Sequence, residues 1–104
     1  MGVPALRNSL LQAFLSDVRP RLAKLRDAVR AGDSRLVEFE AHGLVGMCRT
    51  IGALACGEVF AQLERLGENE SLGHAPALLQ RAEQEIARTE EHIRRLDEIL
   101  RRVA

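Results

Sequence analysis

At 104 residues the chain has room for one modest core and not for two. Only 3% of the residues are aromatic against 46% hydrophobic, so the core is aliphatic, built on Leu, Ala, Val and Ile, which favours helices. Lys plus Arg equal Asp plus Glu at 15 each, a balance in which nothing argues for nucleic acid or an anionic membrane as partner. The charge is uneven along the chain. Residues 1–32 hold six basic and two acidic side chains, residues 33–70 three and seven, and residues 71–104 six and six. The first segment is therefore expected to pack beside the second.

Pro4 fits the first turn of an opening helix, and Leu6, Leu10, Phe14, Val18, Leu22, Leu25 and Val29 carry an apolar stripe to about Ala31. Pro20 interrupts it. Because proline removes an amide donor and clashes with the preceding turn, a kink near Asp17 or a division into two helices is expected, with Ser16 or Asp17 capping the second. Gly32, Asp33 and Ser34 read as a stop followed by an N-cap. Residues 34–50 form one amphipathic helix in which Leu36, Val37, Leu44, Met47, Cys48 and Ile51 converge on one face.

The chain turns around Thr50 to Gly52, and Leu54, Val59, Phe60, Leu63 and Leu66 mark a third helix that ends at Gly67. Residues 67–75 connect it to the last segment, which runs from Pro76 to the end without glycine or further proline. There Leu79, Ala82, Ile86, Thr89, Ile93, Leu96, Leu100 and Val103 form a heptad seam. Such a seam serves a dimeric coiled coil or an intramolecular bundle, and three companion amphipathic helices favour the bundle. The expected fold is all-α: one domain over residues 1–104, an antiparallel up-down-up-down four-helix bundle with an additional or kinked N-terminal helix.

No apolar run of 18 residues is available to span a bilayer, and Met1 to Ser9 lacks the charged start and long apolar middle of a signal peptide. A cytoplasmic location without direct membrane contact is expected. Cys48 and Cys56 stand eight apart with no CxxC pair and no adjacent histidine, so both read as small core residues. The residues three before His42, His74 and His92 are Phe39, Ser71 and Thr89, which excludes the Glu-x-x-His repeat of di-iron bundles. No bound metal or cofactor is expected.

One residue of the second helix is out of place for packing. At about 100° per residue, His42 points away from the apolar face, with Glu38, Phe39, Val45, Gly46 and Arg49 as same-face neighbours. An imidazole standing in solvent on a rigid element is available as a nucleophile. Gly46 leaves bare backbone one turn along, although glycine inside a helix costs about 1 kcal/mol relative to alanine. Its place beside the imidazole implies that something bulky, such as a phosphoryl group with its carrier, approaches the ring. His74 beside Pro76, and His92 off the seam of the last helix, carry no comparable pattern.

The run Ala41-His42-Gly43-Leu44-Val45-Gly46, followed by Gly52-Ala53 and Leu63-Glu64, resembles the histidine-containing phosphotransfer domain of bacterial and eukaryotic phosphorelays. Leu10-Leu11-Gln12-Ala13-Phe14-Leu15 and Ala31-Gly32-Asp33 are similar to the family too, so the likeness covers about residues 10–96. The resemblance implies a phosphorelay intermediate in which His42 accepts a phosphoryl group from a receiver-domain aspartate of a hybrid sensor kinase. His42 would pass it to the aspartate of a response regulator. In the family the Nε2 atom takes the group; Glu64 would accept a hydrogen bond from Nδ1 and hold that tautomer, and Arg49 would contact phosphate oxygens. Mg²⁺ would sit on the receiver partner and not on this domain. Phe39, Val45 and Gly46, with Leu11 and Leu15 of the first helix, would form the apolar docking contact. The domain would be a substrate more than an enzyme, in the cytoplasm or as the cytosolic end of a membrane-bound sensor kinase.

One position departs from the family pattern. Where lysine usually stands three residues after the histidine, this chain has Val45. Either Arg49 substitutes, or transfer proceeds through a less stable phosphohistidine, or the domain is degenerate and docks receivers without accepting phosphate. A lysine installed at position 45 is expected to stand on the His42 face and favour the phosphorylated form. A dimerisation bundle acting as a non-catalytic interaction module is the other reading that the residues leave open.

Overall fold

The computed structural model describes the backbone of residues 3–103 and the side chains of residues 12–103. Four helices follow one another: α1 (Val3–Ala31), α2 (Ser34–Thr50), α3 (Leu54–Glu68) and α4 (Ala75–Val103). The outer two have 29 residues each and the inner two 17 and 15, so the long pair outruns the short pair by roughly 20 Å at 1.5 Å per residue. α1 and α3 each pack on both α2 and α4, which closes a ring in which neighbours in sequence are neighbours in space. The result is a rod of 50 × 18 × 18 Å.

Cross-helix pairs fix the directions. Arg26 meets Glu83 at 2.6 Å and Arg19 meets Glu90 at 3.8 Å; seven residues back on α1 is seven forward on α4, so the two run antiparallel. Along α2 and α3, His42 meets Glu64 while Gly67 lies against Ser34 and Glu38, again antiparallel. The basic first segment thus meets α4 through Arg19 and Arg26 and α2 through Arg21, whose guanidinium is 3.3 Å from Glu40.

α1 is a single helix with Pro20 inside it, and among the described residues no additional N-terminal helix precedes it. Pro20 and Ser16 are both exposed, so Pro20 lies on the solvent side of α1, where a carbonyl that loses its amide partner costs least. The two short connections end their helices alike. At Gly32 and Gly52 the backbone turns left-handed, with φ of 69° and 76°. The next amide, Asp33 or Ala53, returns to the carbonyl of Ala28 or Cys48 at 3.0 and 2.8 Å, closing a Schellman motif. Asp33, and not Ser34, caps α2, its carboxylate accepting from the Leu36 amide at 3.1 Å.

Gly67 does not end the third helix. It lies inside α3, where a Cβ would stand 2.6 Å from the Glu38 nitrogen and 2.7 Å from the Ser34 oxygen. Its missing side chain lets the backbone of α3 close on the first turn of α2, one turn from Glu64. Phe60, Leu25, Leu44 and Leu63 are the largest of the fully buried side chains. Cys48 and Cys56 are free thiols buried in the same core, and the hydrogen bond that the Cys56 thiol donates to Cys48, together with burial, pushes the Cys56 thiol up. The seam of α4 is buried at Leu79, Ala82 and Ile86, half-buried at Thr89, Ile93, Leu96 and Leu100, and exposed at Val103. Beyond the start of α3, which lies level with Arg88 and His92, α1 alone accompanies it. Among the described residues no helix is long and apolar enough to cross a membrane.

Candidate functional site

α2 is wedged between α1 and α3 and therefore buries a wide arc: Val37, Glu40, Ala41, Leu44, Val45 and Cys48. Leu36, expected in that arc, is 39% exposed, and Met47 and Ile51 are half-buried. Arg35, Phe39, His42, Gly46, Arg49 and Thr50 are left outside. At about 100° per residue these six fall within roughly 100° of arc, a single strip along the helix.

The His42 side chain is 75% exposed, and its Nδ1 lies 2.8 Å from Oε2 of Glu64, a carboxylate only 20% exposed on α3. A carboxylate accepts and does not donate, so Nδ1 carries the proton and donates it. In the neutral ring Nε2 is then the nitrogen with a free lone pair, on a largely exposed side chain. Such a ring can act as nucleophile, base or metal ligand. Among the described residues no group of three or more His, Cys, Asp or Glu is placed to hold a metal ion.

The two glycines of α2 do different things. A Cβ on Gly46 would meet nothing within 4 Å, so bare backbone does lie open one turn from the imidazole. Its carbonyl accepts a hydrogen bond from the Thr50 hydroxyl at 2.9 Å. A Cβ on Gly43 would overlap the guanidinium of Arg21, whose Cζ is 2.7 Å from that point. Through this gap Arg21 reaches Glu40, itself 5% exposed. A buried carboxylate thus receives its counter-charge from α1, tying α1 to α2 at the level of His42. Sequence reasoning missed this pair; its signal was the glycine directly after the histidine. A depression of about 750 Å³ opens beside His42 and Glu64, lined also by Leu36, Phe39 and Arg35.

The structure divides the expected docking residues. Phe39, 66% exposed, and Gly46 lie on the strip beside His42. Leu15 and Val45 do not: at 9% and 4% exposed they belong to the core. α1 faces both α2 and α4 and so buries Leu15 along with Phe14. Val45 lies about 60° round from His42 toward α3, within the arc that α3 covers. A lysine at 45 would therefore start inside the α2–α3 packing and not on the His42 face. The Leu11 side chain lies outside the described residues. Leu36 takes a place in the apolar surface that periodicity alone had given to the core. Arg49 is exposed two turns past His42, with no ion-pair partner among the described residues. His74 and His92 are exposed elsewhere, on the α3–α4 connection and on α4.

The family model of the Hpt domain matches residues 9–102. Among solved structures the chain is similar to the crystal structure of histidine-containing phosphotransfer protein B (HptB) from Pseudomonas aeruginosa PAO1. The TM-score is 0.81 and the identity 29%, over 86% of this chain and 78% of that one. No curated protein matches the chain. Hpt domains interact with receiver domains of kinases and response regulators in two-component systems. A match over nearly the whole length, on a four-helix bundle that presents one oriented histidine, places this chain in the histidine-containing phosphotransfer (Hpt) domain family, with a phosphotransfer role in a phosphorelay.

Proposed function

We propose that His42 is the phosphoacceptor, taking its phosphoryl group from the receiver of a hybrid sensor kinase and giving it to the receiver of a response regulator. In the first step the Nε2 lone pair attacks the phosphorus of an aspartyl phosphate. A P–N bond forms as the P–O bond breaks, and the aspartate leaves as a carboxylate. The second step runs in the opposite sense: the carboxylate of the second aspartate attacks phosphorus and Nε2 recovers its lone pair. Mg²⁺ is the receiver's contribution, whereas this domain supplies an oriented nucleophile and a docking face and has no turnover of its own. It would act in the cytoplasm, free or as the cytosolic end of a membrane-bound sensor kinase.

The observation that carries this reading is the 2.8 Å hydrogen bond between Nδ1 of His42 and Glu64. It supports the tautomer in which Nε2 is nucleophilic. As Nε2 gains its bond to phosphorus the ring becomes cationic, and the carboxylate at Nδ1 stabilises that charge. Val45 favours a second reading, a domain that docks receivers without accepting phosphate, since no cation stands one turn from His42 on α2. Mixing the chain with a phosphorylated receiver, and then with a second receiver, separates the two. Label that moves onto this chain and off again supports the relay; a receiver that binds while the chain takes no label leaves docking alone.

A further inference from the structure

The exposed strip of α2 holds a charge arrangement that the transfer step does not use. Arg35 and Arg49 lie seven residues before and seven after His42, two turns or about 10.5 Å along the axis to either side. Neither has an ion-pair partner among the described residues, whereas ten of the eleven other arginines with described side chains do. Carboxylates are not scarce nearby. Residues 33–70 hold seven acidic side chains against three basic ones, and Glu38 stands three residues from Arg35 on the same helix. Of the acids near His42, Glu40 is engaged by Arg21 and Glu64 by the imidazole itself, while Glu38 and Asp33 line the same depression as Arg35 without forming an ion pair with it. The strip presents two guanidiniums that make no ion pair among the described residues, with Phe39, His42 and Gly46 between them.

Resting on the phosphoacceptor reading, we propose that Arg35 and Arg49 form a two-point clamp that selects the receiver. The partner it fits carries its reactive aspartate in an acidic face, with carboxylates on opposite rims about 21 Å apart, the span of fourteen helical residues. A cation with no internal partner meets an incoming carboxylate without first giving one up. Paired charges of this kind raise the encounter rate and fix register more than they add affinity. With His42 midway, engaging both rims sets the lengthwise position of α2 and brings Nε2 over the aspartate. Direct contact of either arginine with the phosphoryl group fits the geometry less well, because both start two turns away and on opposite sides.

The test uses Arg35→Glu, Arg49→Glu and the double variant, with Arg81→Glu as the control for net charge. Arg81 is exposed on α4, which does not touch α2. The probe is the purified receiver domain of the source organism that takes label fastest from the wild-type phosphorylated chain, with initial rates read against receiver concentration at low and physiological salt. Each single reversal should raise KM about fivefold and keep kcat, and the double variant should raise it further and lose most of the salt dependence. Arg81→Glu should leave KM unchanged. A KM unmoved by both reversals, or moved as far by Arg81→Glu, overturns the clamp and leaves the phosphoacceptor reading intact. A fall in kcat at constant KM also overturns it, since the arginines would then touch the phosphoryl group. If no receiver takes label from the wild-type chain, both readings fall together.

Discussion

Replacing Gly46 separates what the chain needs for folding from what it needs for approach. A Cβ there meets no atom within 4 Å, and the residue does not sit at positive φ, so neither crowding nor backbone strain opposes a side chain. Helix propensity then decides the folded-state effect: alanine should add about 1 kcal/mol of stability, and glutamine somewhat less. For a domain of this size that corresponds to a rise in Tm of about 4–8 °C per kcal/mol. The effect on transfer runs the other way. A glutamine one turn from His42 projects into the space through which a receiver must bring its aspartate to Nε2, and should slow transfer about tenfold, or about 1.4 kcal/mol of barrier. Alanine, a single methyl, should slow it far less. Thermal unfolding by circular dichroism and initial transfer rates on the same three proteins read the two effects. Native-rate transfer in Gly46→Gln, or a variant less stable than the native chain, would refute the cleared-face argument.

Three further substitutions test the packing around the site. Gly67→Ala should destabilise the fold by about 2–3 kcal/mol in denaturant unfolding, because its Cβ would meet the α2 backbone, which cannot yield as a side chain would. Glu64→Ala should slow transfer about fivefold, the worth of a charge-assisted hydrogen bond discounted for a ring that is 75% exposed. Glu64→Gln, which can still accept from Nδ1 but lacks the charge that stabilises the cationic ring, should fall between Glu64→Ala and the native chain; equal rates in the two variants would dismiss Glu64 as a positioning group. Val45→Lys should lower stability by about 2 kcal/mol, through lost valine burial and a poorly solvated ammonium. A stable Val45→Lys variant with a longer-lived phosphohistidine would show instead that the lysine escapes to the surface.

The fold was legible where the pattern is local. The stop at Gly32, the helix over 34–50 and the Gly52-Ala53 turn all follow from glycine's tolerance of positive φ and from the 3.6-residue period. His42 was legible because a polar ring on the solvent arc of a strongly patterned helix adds nothing to the core, and its bond to Glu64 because Leu63-Glu64 follows the family pattern. What escaped depends on how many partners a helix has. α2 packs against two neighbours, so its buried arc is wider than a simple apolar stripe and takes in Val45, and the same holds for Leu15 on α1. Gly67 reads as a helix end in one dimension, yet only the three-dimensional approach of α3 to Ser34 and Glu38 shows what its missing side chain is for. Arg21 and Glu40 are nineteen residues apart, and nothing local pairs them. Pro20 does not divide α1 in two, because the penalty of a proline inside a helix depends in part on whether the freed carbonyl meets water.

His42 is proposed to carry the phosphoryl group on Nε2. This is tested most directly by labelling the native chain and His42→Gln from the same phosphorylated receiver, and by assigning the linkage with phosphorus and nitrogen NMR. One acid-labile phosphate is expected, bonded to Nε2 of His42, and none in His42→Gln although His74 and His92 are still present. Label that persists in His42→Gln, or that resides on Nδ1, would contradict it.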